Sequence, residues 1–509
     1  MGPTVAATAY GLAAMVAAFV FRPRSVPNRD IFRAAVFWVL SVPVLFILPL
    51  PMLMLATCGA LAFALAPPEK GDRLAFYLLV FPAVPATVFA QVPFPGINYL
   101  FMLDFPRVVF FCVLTAAFLS AARPPAARYA PTIGVFVVLL TLLFSVMAFR
   151  DENLTNGLRM GFNYALIYAL PFFALVRLMN TDESLDKVFS SFMFLACILG
   201  FTALVSQATK WNIYDFVSMR VGQPVFAEFR GGFLRIAATL NVALTGFVMG
   251  LGLIAVSYFR SRRRLGFLMA SIYRALFAAG AFFTYSRGAW IAVILGLLVY
   301  LFFTKAPRGL RPAMIAAGVF IGAPAAIVFA LNADFGAIDA YGTFAYRQEL
   351  LRATWIHFQQ YPLFGDALFY SRPHFAHLVQ GEGIIDFVNR YVQIVVEYGA
   401  VGLIIFLTPW IVLVLGLLKL PGRHQDFWGS PAEHQRAALL AIIASFLFLT
   451  ATSSDVTYFK QFGVAILAIG AGYIGAVRAK RAGQTAADPA AARGDLDQPD
   501  LAEAAARPA

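Results

Sequence analysis

The sequence predicts an all-α polytopic membrane protein of about 13 to 15 transmembrane helices with one large extramembrane loop. Three observations predict it. Of the 509 residues, 61% are hydrophobic and only 13% charged, whereas a soluble domain is about half apolar and a quarter charged. The apolar residues fall in blocks of roughly 15 to 23, the length that crosses a bilayer core. Lys and Arg collect in alternate connecting loops. A β-barrel is excluded, because barrel strands are short and alternate apolar with polar.

The blocks run in order at 5–21, 34–48, 52–66, 74–93, 108–122, 132–149, 160–179, 188–209, 237–259, 267–286, 288–304, 313–331, 400–420, 438–458 and 463–478. The first lacks a basic leader and reads as a span rather than a cleaved signal. Pro49-Leu50-Pro51 interrupts 34–66, because proline cannot continue a helix comfortably, and turns it into a hairpin. The organisation is 1–331 for the first dozen or so helices, 332–399 for the loop, 400–478 for the last three spans and 479–509 for an Ala, Pro, Asp and Gly-rich disordered tail.

Orientation follows the basic residues. Arg260, Arg262, Arg263 and Arg264 crowd one loop; Arg22, Arg24, Arg29 and Arg33 crowd another; Lys305, Arg308 and Arg311 mark a third. With these inside, every span alternates without conflict. The tail is then cytoplasmic and the loop 332–399 lies outside, periplasmic in a Gram-negative cell. The net charge of +13 therefore reads as loop bias, with no aromatic-interleaved basic patch for nucleic acid. Cys58, Cys112 and Cys197 are far apart inside apolar blocks and form neither a metal motif nor a disulfide framework. No Gly-rich phosphate loop or nucleotide-sized soluble domain occurs, so a reaction here draws on an activated substrate from the lipid phase or the outer face.

Candidate chemistry gathers at that face. Arginines there run against the positive-inside trend, and a diphosphate would account for them, since guanidinium matches phosphate oxygens in bidentate fashion. Arg287 is wedged between two blocks; Arg220, Arg230 and Arg235 share the loop 210–236; Arg107 and Arg159 sit similarly. Simple snorkelling is the competing account of Arg287. In the large loop, Asp386, Asn389, Arg390, Gln393 and Glu397 fall at helical spacing, which predicts a polar stripe on a helix entering the bilayer and an Asp386–Arg390 pair. Gly399 and Gly402 allow that helix to bend or pack closely. Arg347 lies on an amphipathic helix around 346–355, and Glu382 sits in a Gly-flanked turn near Asp386. The HxxH pair His374/His377 lacks a third ligand, so no metal is assigned. Asp455 and Lys460 read as a structural ion pair at a span end.

Pro362-Leu363-Phe364-Gly365, then Asn389-x9-Gly399-x-x-Gly402-Leu403, after Ser286-Arg287-Gly288-Ala289-Trp290, resembles the O-antigen ligase and polysaccharide polymerase family of GT-C-like bacterial inner-membrane glycosyltransferases. The likeness covers roughly the second half of the chain. It implies an inverting, metal-independent and cofactor-free transfer from an undecaprenyl-diphosphate-linked glycan to a glycan acceptor at the periplasmic face, in membrane lipid, with chain-length regulator and export proteins as partners. It implies Arg287 as a diphosphate ligand, with Arg220, Arg230, Arg235 and Arg390 assisting and Asn389, Gly399, Gly402 and Arg347 in support. The histidine that precedes the Asn in ligases, thought to act as base, is Val388 here. Asp386 is the first replacement and Glu382 the second. The vacancy favours polymerisation of repeat units into exopolysaccharide or O-antigen. A ligase passing glycan to lipid A–core is the alternative, and a lipid-linked glycan flippase the rival from another class; the latter should carry ionisable residues at mid-span.

Overall fold

The computed structural model describes residues 2–95, 97–120, 131–150, 153–179, 182–223, 228–317, 343–380, 383–420 and 430–487. The chain is a multi-pass helical membrane protein. Eight described helices are long and apolar enough to span a bilayer, and five shorter apolar helices accompany them.

The N-terminal helices α1 (Pro3–Val20), α2 (Ile31–Ile47) and α3 (Pro51–Leu65) follow the predicted blocks, and Pro51 opens α3, where its missing N–H is no loss. The expected span 74–93 is corrected. Helix α4 (Asp72–Val80) ends after nine residues; strands β1 (Phe89–Phe94) and β2 (Ile97–Asp104) then form an antiparallel hairpin. Pro82, Pro85 and Pro93 supply no backbone N–H, which a long helix cannot tolerate. Hydropathy alone does not distinguish such a run from a helix.

Helices α5 (Phe105–Ser120), α6 (Pro131–Met147), α7 (Leu154–Leu178) and α8 (Asp182–Thr209) follow. The seventh contains a π-helical turn over Ala165–Ala169, the kind of bulge that re-aims side chains at functional sites. A short helix α9 (Asp215–Arg220) and a small hairpin, β3 (Phe229–Arg230) with β4 (Phe233–Leu234), precede α10 (Val242–Ser261), α11 (Phe267–Phe283), α12 (Arg287–Lys305) and α13 (Arg311–Ala317). The remainder of the expected span 313–331 lies outside the described residues. The large loop contributes α14 (Thr343–Gln360); α15 (Arg390–Lys419), α16 (Pro431–Thr452) and α17 (Phe459–Ala487) are the last described helices, so the final one continues through 479–487 into the expected tail.

Four helices form the centre. In α10 and α17 89% of the span window is buried, in α8 83% and in α16 72%; α1 and α15 bury only 28%. The outer helices show apolar side chains instead: Ile291, Ile294, Leu298 and Leu301 line one exposed face of α12. Such a face is the wrong one for water and the right one for lipid. At the end of the bundle opposite the large loop, buried Asp186 gathers Arg262 at 2.8 Å, Arg264 at 2.9 Å and Gln435 at 3.0 Å, with Tyr258 donating as well. This carboxylate ties α8, α10 and α16 together and absorbs two residues of the densest arginine loop.

Candidate functional site

The site is built around the segment 453–458 that joins α16 to α17, because residues from four elements converge on it and on the adjacent Thr452. Gly288, next to Arg287, abuts Thr452: a Cβ there would stand 2.6 Å from Thr452 Oγ1. Arg347 donates to the Thr452 carbonyl at 3.2 Å. Ser454 Oγ donates to Asp386 Oδ1 at 2.5 Å. Asp455 Oδ2 lies 3.1 Å from Arg390 Nε and 3.3 Å from Lys460 Nζ. Thr452 and Ser454 are roughly 7 Å apart along an extended backbone. Arg347, Asp386 and Arg390 thus contact one short stretch, and Gly288, the neighbour of Arg287, packs against its start. The Ser453-Ser454-Asp455 run that joins them was not assigned that role from sequence. A cluster of polar residues at a span end was its only signal.

Helix α15 starts at Arg390, not before it, and the predicted stripe is corrected accordingly. Asn389 is its N-cap, with Oδ1 accepting from Tyr391 N at 3.0 Å and Val392 N at 3.3 Å. Asp386 therefore lies off the helix, half-buried, with its carbonyl accepting from Tyr346 Oη at 3.0 Å. The expected Asp386–Arg390 pair does not form. Once the cap ends the helical periodicity, the spacing of four no longer aligns the two side chains; Arg390 turns inward to Asp455, where both are nearly buried. Burial alone would raise the Asp455 pKa, but Arg390 and then Lys460 outweigh it and hold the carboxyl below its usual range. Gln393 and Glu397 do share a face, bonded at 2.7 Å. Glu382 lies outside the described residues.

The loop motif proves to be a docking device. Gly399 adopts φ 64°, ψ −162° and kinks α15. A Cβ on it would come within 2.4 Å of the Leu363 carbonyl, and one on Gly365 within 2.4 Å of the Val396 carbonyl. Across this contact Ala400 N donates to Pro362 O at 2.8 Å, Val401 N to Leu363 O at 3.1 Å and Asp366 N to Val396 O at 2.9 Å. Arg150 clamps the seam, donating to Phe364 O at 2.8 Å and Glu397 O at 2.6 Å. Gly402 packs under Tyr398. Above the seam the loop has its own apolar core of Leu350, Ala353, Phe375, Leu378, Phe387, Val392 and Val396, and Val388 packs against it. The position where the resemblance implies a histidine is thus given to packing.

The other predicted phosphate ligands divide. Arg220 caps the end of α2, donating to the Phe46 carbonyl and to Ile47 O at 3.0 Å. Arg235 pairs with Glu228. These guanidiniums are engaged, because carbonyls at a helix end and a nearby carboxylate are the partners the fold offers first. Arg230 is half-buried on β3. Arg107 pairs with Asp104 at 3.1 Å, and Arg159 lies 3.9 Å over the Tyr99 ring. Arg287 differs. It is exposed at the start of α12, and among the described residues its guanidinium has no ion-pair or hydrogen-bond partner. Tyr285, held at φ 46°, makes the turn that delivers it. Phe233 of the small hairpin stacks on Tyr285 at 5.5 Å, which anchors the hairpin to the turn that precedes Arg287.

His374 pairs with His357 rather than with a metal set: Nδ1 of His357 is 3.1 Å from His374 Nε2. Burial, then His374, lowers the His357 pKa; burial, then Arg372, lowers that of His374. Among the described residues no three His, Cys, Asp or Glu gather as a metal site.

Residues 272–407 match the family model described as O-antigen ligase. The match runs from α11 through Arg287, the described part of the loop and the kinked start of α15. No curated protein matches the chain.

Proposed function

We propose, for this member of the O-antigen ligase family, that the chain polymerises undecaprenyl-diphosphate-linked repeat units into exopolysaccharide or O-antigen at the periplasmic face of the inner membrane. The family makes it a ligase- or polymerase-type membrane glycosyltransferase with lipid-linked glycan substrates. The observation that carries the finer reading is the pairing of Asp386 with Ser454 at 2.5 Å, beside a Val388 that is committed to packing.

The acceptor sugar hydroxyl attacks the anomeric carbon of the donor glycan from the face opposite the diphosphate. The new C–O bond forms as the bond to the diphosphate oxygen breaks, with inversion. Asp386 takes the hydroxyl proton; Ser454 occupies Oδ1, leaving Oδ2 for the acceptor. Arg287 meets the charge growing on the leaving diphosphate, a contribution that counts most where it strengthens in the transition state. No metal or cofactor enters this scheme. The docking of Pro362–Gly365 onto Gly399 keeps the loop seated on the start of α15.

Asp386→Asn, isosteric but unable to accept the proton, is the decisive variant. Polymer should vanish and single lipid-linked repeats should accumulate, read on gels and by mass spectrometry of extracted lipid. Polymer of normal yield and length would overturn the base assignment. Glycan appearing on lipid A–core, lost in the same variant, would favour the ligase instead.

A further inference from the structure

The large loop carries large apolar side chains on its surface. Trp355 is 61% exposed, Leu363 60% and Phe364 50%, and Leu351 is exposed with them. A contiguous apolar patch outside the spans marks a contact. We propose that α14 lies on the bilayer surface nearest the loop, and that Leu351, Trp355, Phe358, Leu363 and Phe364 sink into the lipid there. The proposal goes beyond the reaction proposed above and does not depend on it: it needs only that the bundle spans a membrane.

Both ends of the segment are tied to span ends. Near its start, Arg347 donates to the Thr452 carbonyl at 3.2 Å, and Thr452 closes α16. Beyond its end, Pro362 O accepts from Ala400 N at 2.8 Å and Leu363 O from Val401 N at 3.1 Å, just past the kink of α15. Helices α15 and α16 are consecutive spans, so the start of one and the end of the other meet the same bilayer surface. The 18 residues of α14, about 27 Å of helix, therefore run along that surface rather than away from it.

Helical geometry turns the apolar stripe toward the lipid. Around α14, Phe358 lies about 20° from Arg347, Leu351 about 40° and Trp355 about 80°. Arg347 reaches down to the end of α16, and these three follow it. Leu350, Ala353, Thr354 and His357 are buried on the adjacent side, Leu350 and Ala353 in the loop's own core. Exposed Arg352 stands about 140° from Arg347, on the far side.

The depth also fits. From Ala400 to Lys419, α15 has about the 20 residues that a bilayer core requires, so Val401 marks the edge of the core and Leu363 stands at its level. Ile404, one turn deeper, is 64% exposed on the lipid side. Arg150 fixes the Phe364 carbonyl at 2.8 Å beside the end of α6, where Val146 and Phe149 are exposed too. The lipid-facing belt of the spans thus continues into the tip of the loop, and that continuity names lipid as the occupant. Trp355 suits the headgroup boundary, and an apolar face sunk to that depth is how interfacial helices bind. Tyr346, next to Arg347, donates to the Asp386 carbonyl at 3.0 Å, so the candidate site keeps a fixed height above the membrane.

The test uses the full chain in nanodiscs that hold one copy each, made with ordinary or chain-brominated phosphatidylcholine, with iodide as the aqueous quencher. The Trp355 emission is the difference between the native chain and Trp355→Phe. It should be blue-shifted, lose most of its intensity in brominated lipid and resist iodide. Leu363→Trp, made in the Trp355→Phe chain, should add a signal that behaves in the same way. Arg352→Trp in that chain should respond to iodide and not to bromine. Iodide quenching of Trp355 equal to that of Arg352→Trp would overturn the proposal. Protection of Trp355 from iodide without bromine quenching would overturn it as well, because a glycan or another part of the protein would then cover the stripe. The Trp355 measurement changes one exposed side chain only, so it decides the matter even where Leu363→Trp disturbs the seam.

Discussion

Gly399→Ala should unseat the loop while leaving the helical bundle folded. The residue sits at φ 64°, ψ −162°, a region essentially reserved for glycine and costing a side chain about 1–3 kcal/mol. The added Cβ would also stand 2.4 Å from the Leu363 carbonyl. That neighbour is backbone and cannot rotate away, so the seam must part. Parting it removes the bonds from Ala400 N to Pro362 O and from Val401 N to Leu363 O, about 1 kcal/mol each. The sum is roughly 3–5 kcal/mol, a hundredfold to several thousandfold shift toward the undocked loop. Gly383→Ala is the matched control. Gly383 has φ 75° but nothing within 4 Å of its Cβ position, so only the strain of about 1 kcal/mol remains. Hydrogen exchange of the amides of 363–366 and 396–401 in nanodiscs measures the difference. Protection in that stretch should collapse in Gly399→Ala and persist in Gly383→Ala, with the α10 and α17 amides unaffected in both. Equal protection in the two variants would refute the claim that close backbone approach, rather than backbone strain, fixes the motif.

Arg287→Lys should lower kcat/KM about ten- to a hundredfold, since a point charge cannot reproduce the guanidinium fork; unchanged kinetics would mean that Arg287 only snorkels to the interface. Acidification should loosen the outer loop through the His357–His374 pair. Both folded-state pKa values lie below the ordinary 6.5, so the unfolded loop binds protons first and stability falls as pH drops through 6.5 toward the folded values. Asp366 and Arg372, which face the pair, carry one charge of each sign. Proteolysis of the loop between pH 8 and 5 should accelerate toward acid, and His357→Gln should flatten that dependence; a pH-independent rate in the native chain would contradict it.

Most spans could be read from the sequence because a bilayer imposes one length and one polarity on every crossing helix. The exception, 74–93, is instructive: its hydropathy is that of a helix, and only its prolines foretell the hairpin. At the site, local patterns were legible and distant partners were not. Asn389, Gly399 and Gly402 stand out as a motif, and the cap at Asn389 is local, yet the role of Gly399 depends on Pro362–Gly365, which the chain brings back from upstream. Helical spacing assigned Arg390 to Asp386; the actual partner, Asp455, is on the next inter-helix segment but one, and no periodicity reaches that far. The arginines that the sequence reading expects at the outer face show the same limit. Arg220 and Arg235 are taken by a helix end and a carboxylate, whereas Arg287, which follows the positive-φ turn at Tyr285, has no hydrogen-bond or ion-pair partner among the described residues. What sets Arg287, the proposed diphosphate ligand, apart from Arg220 and Arg235 is the absence of a partner among the described residues, and that is a property of packing, not of composition.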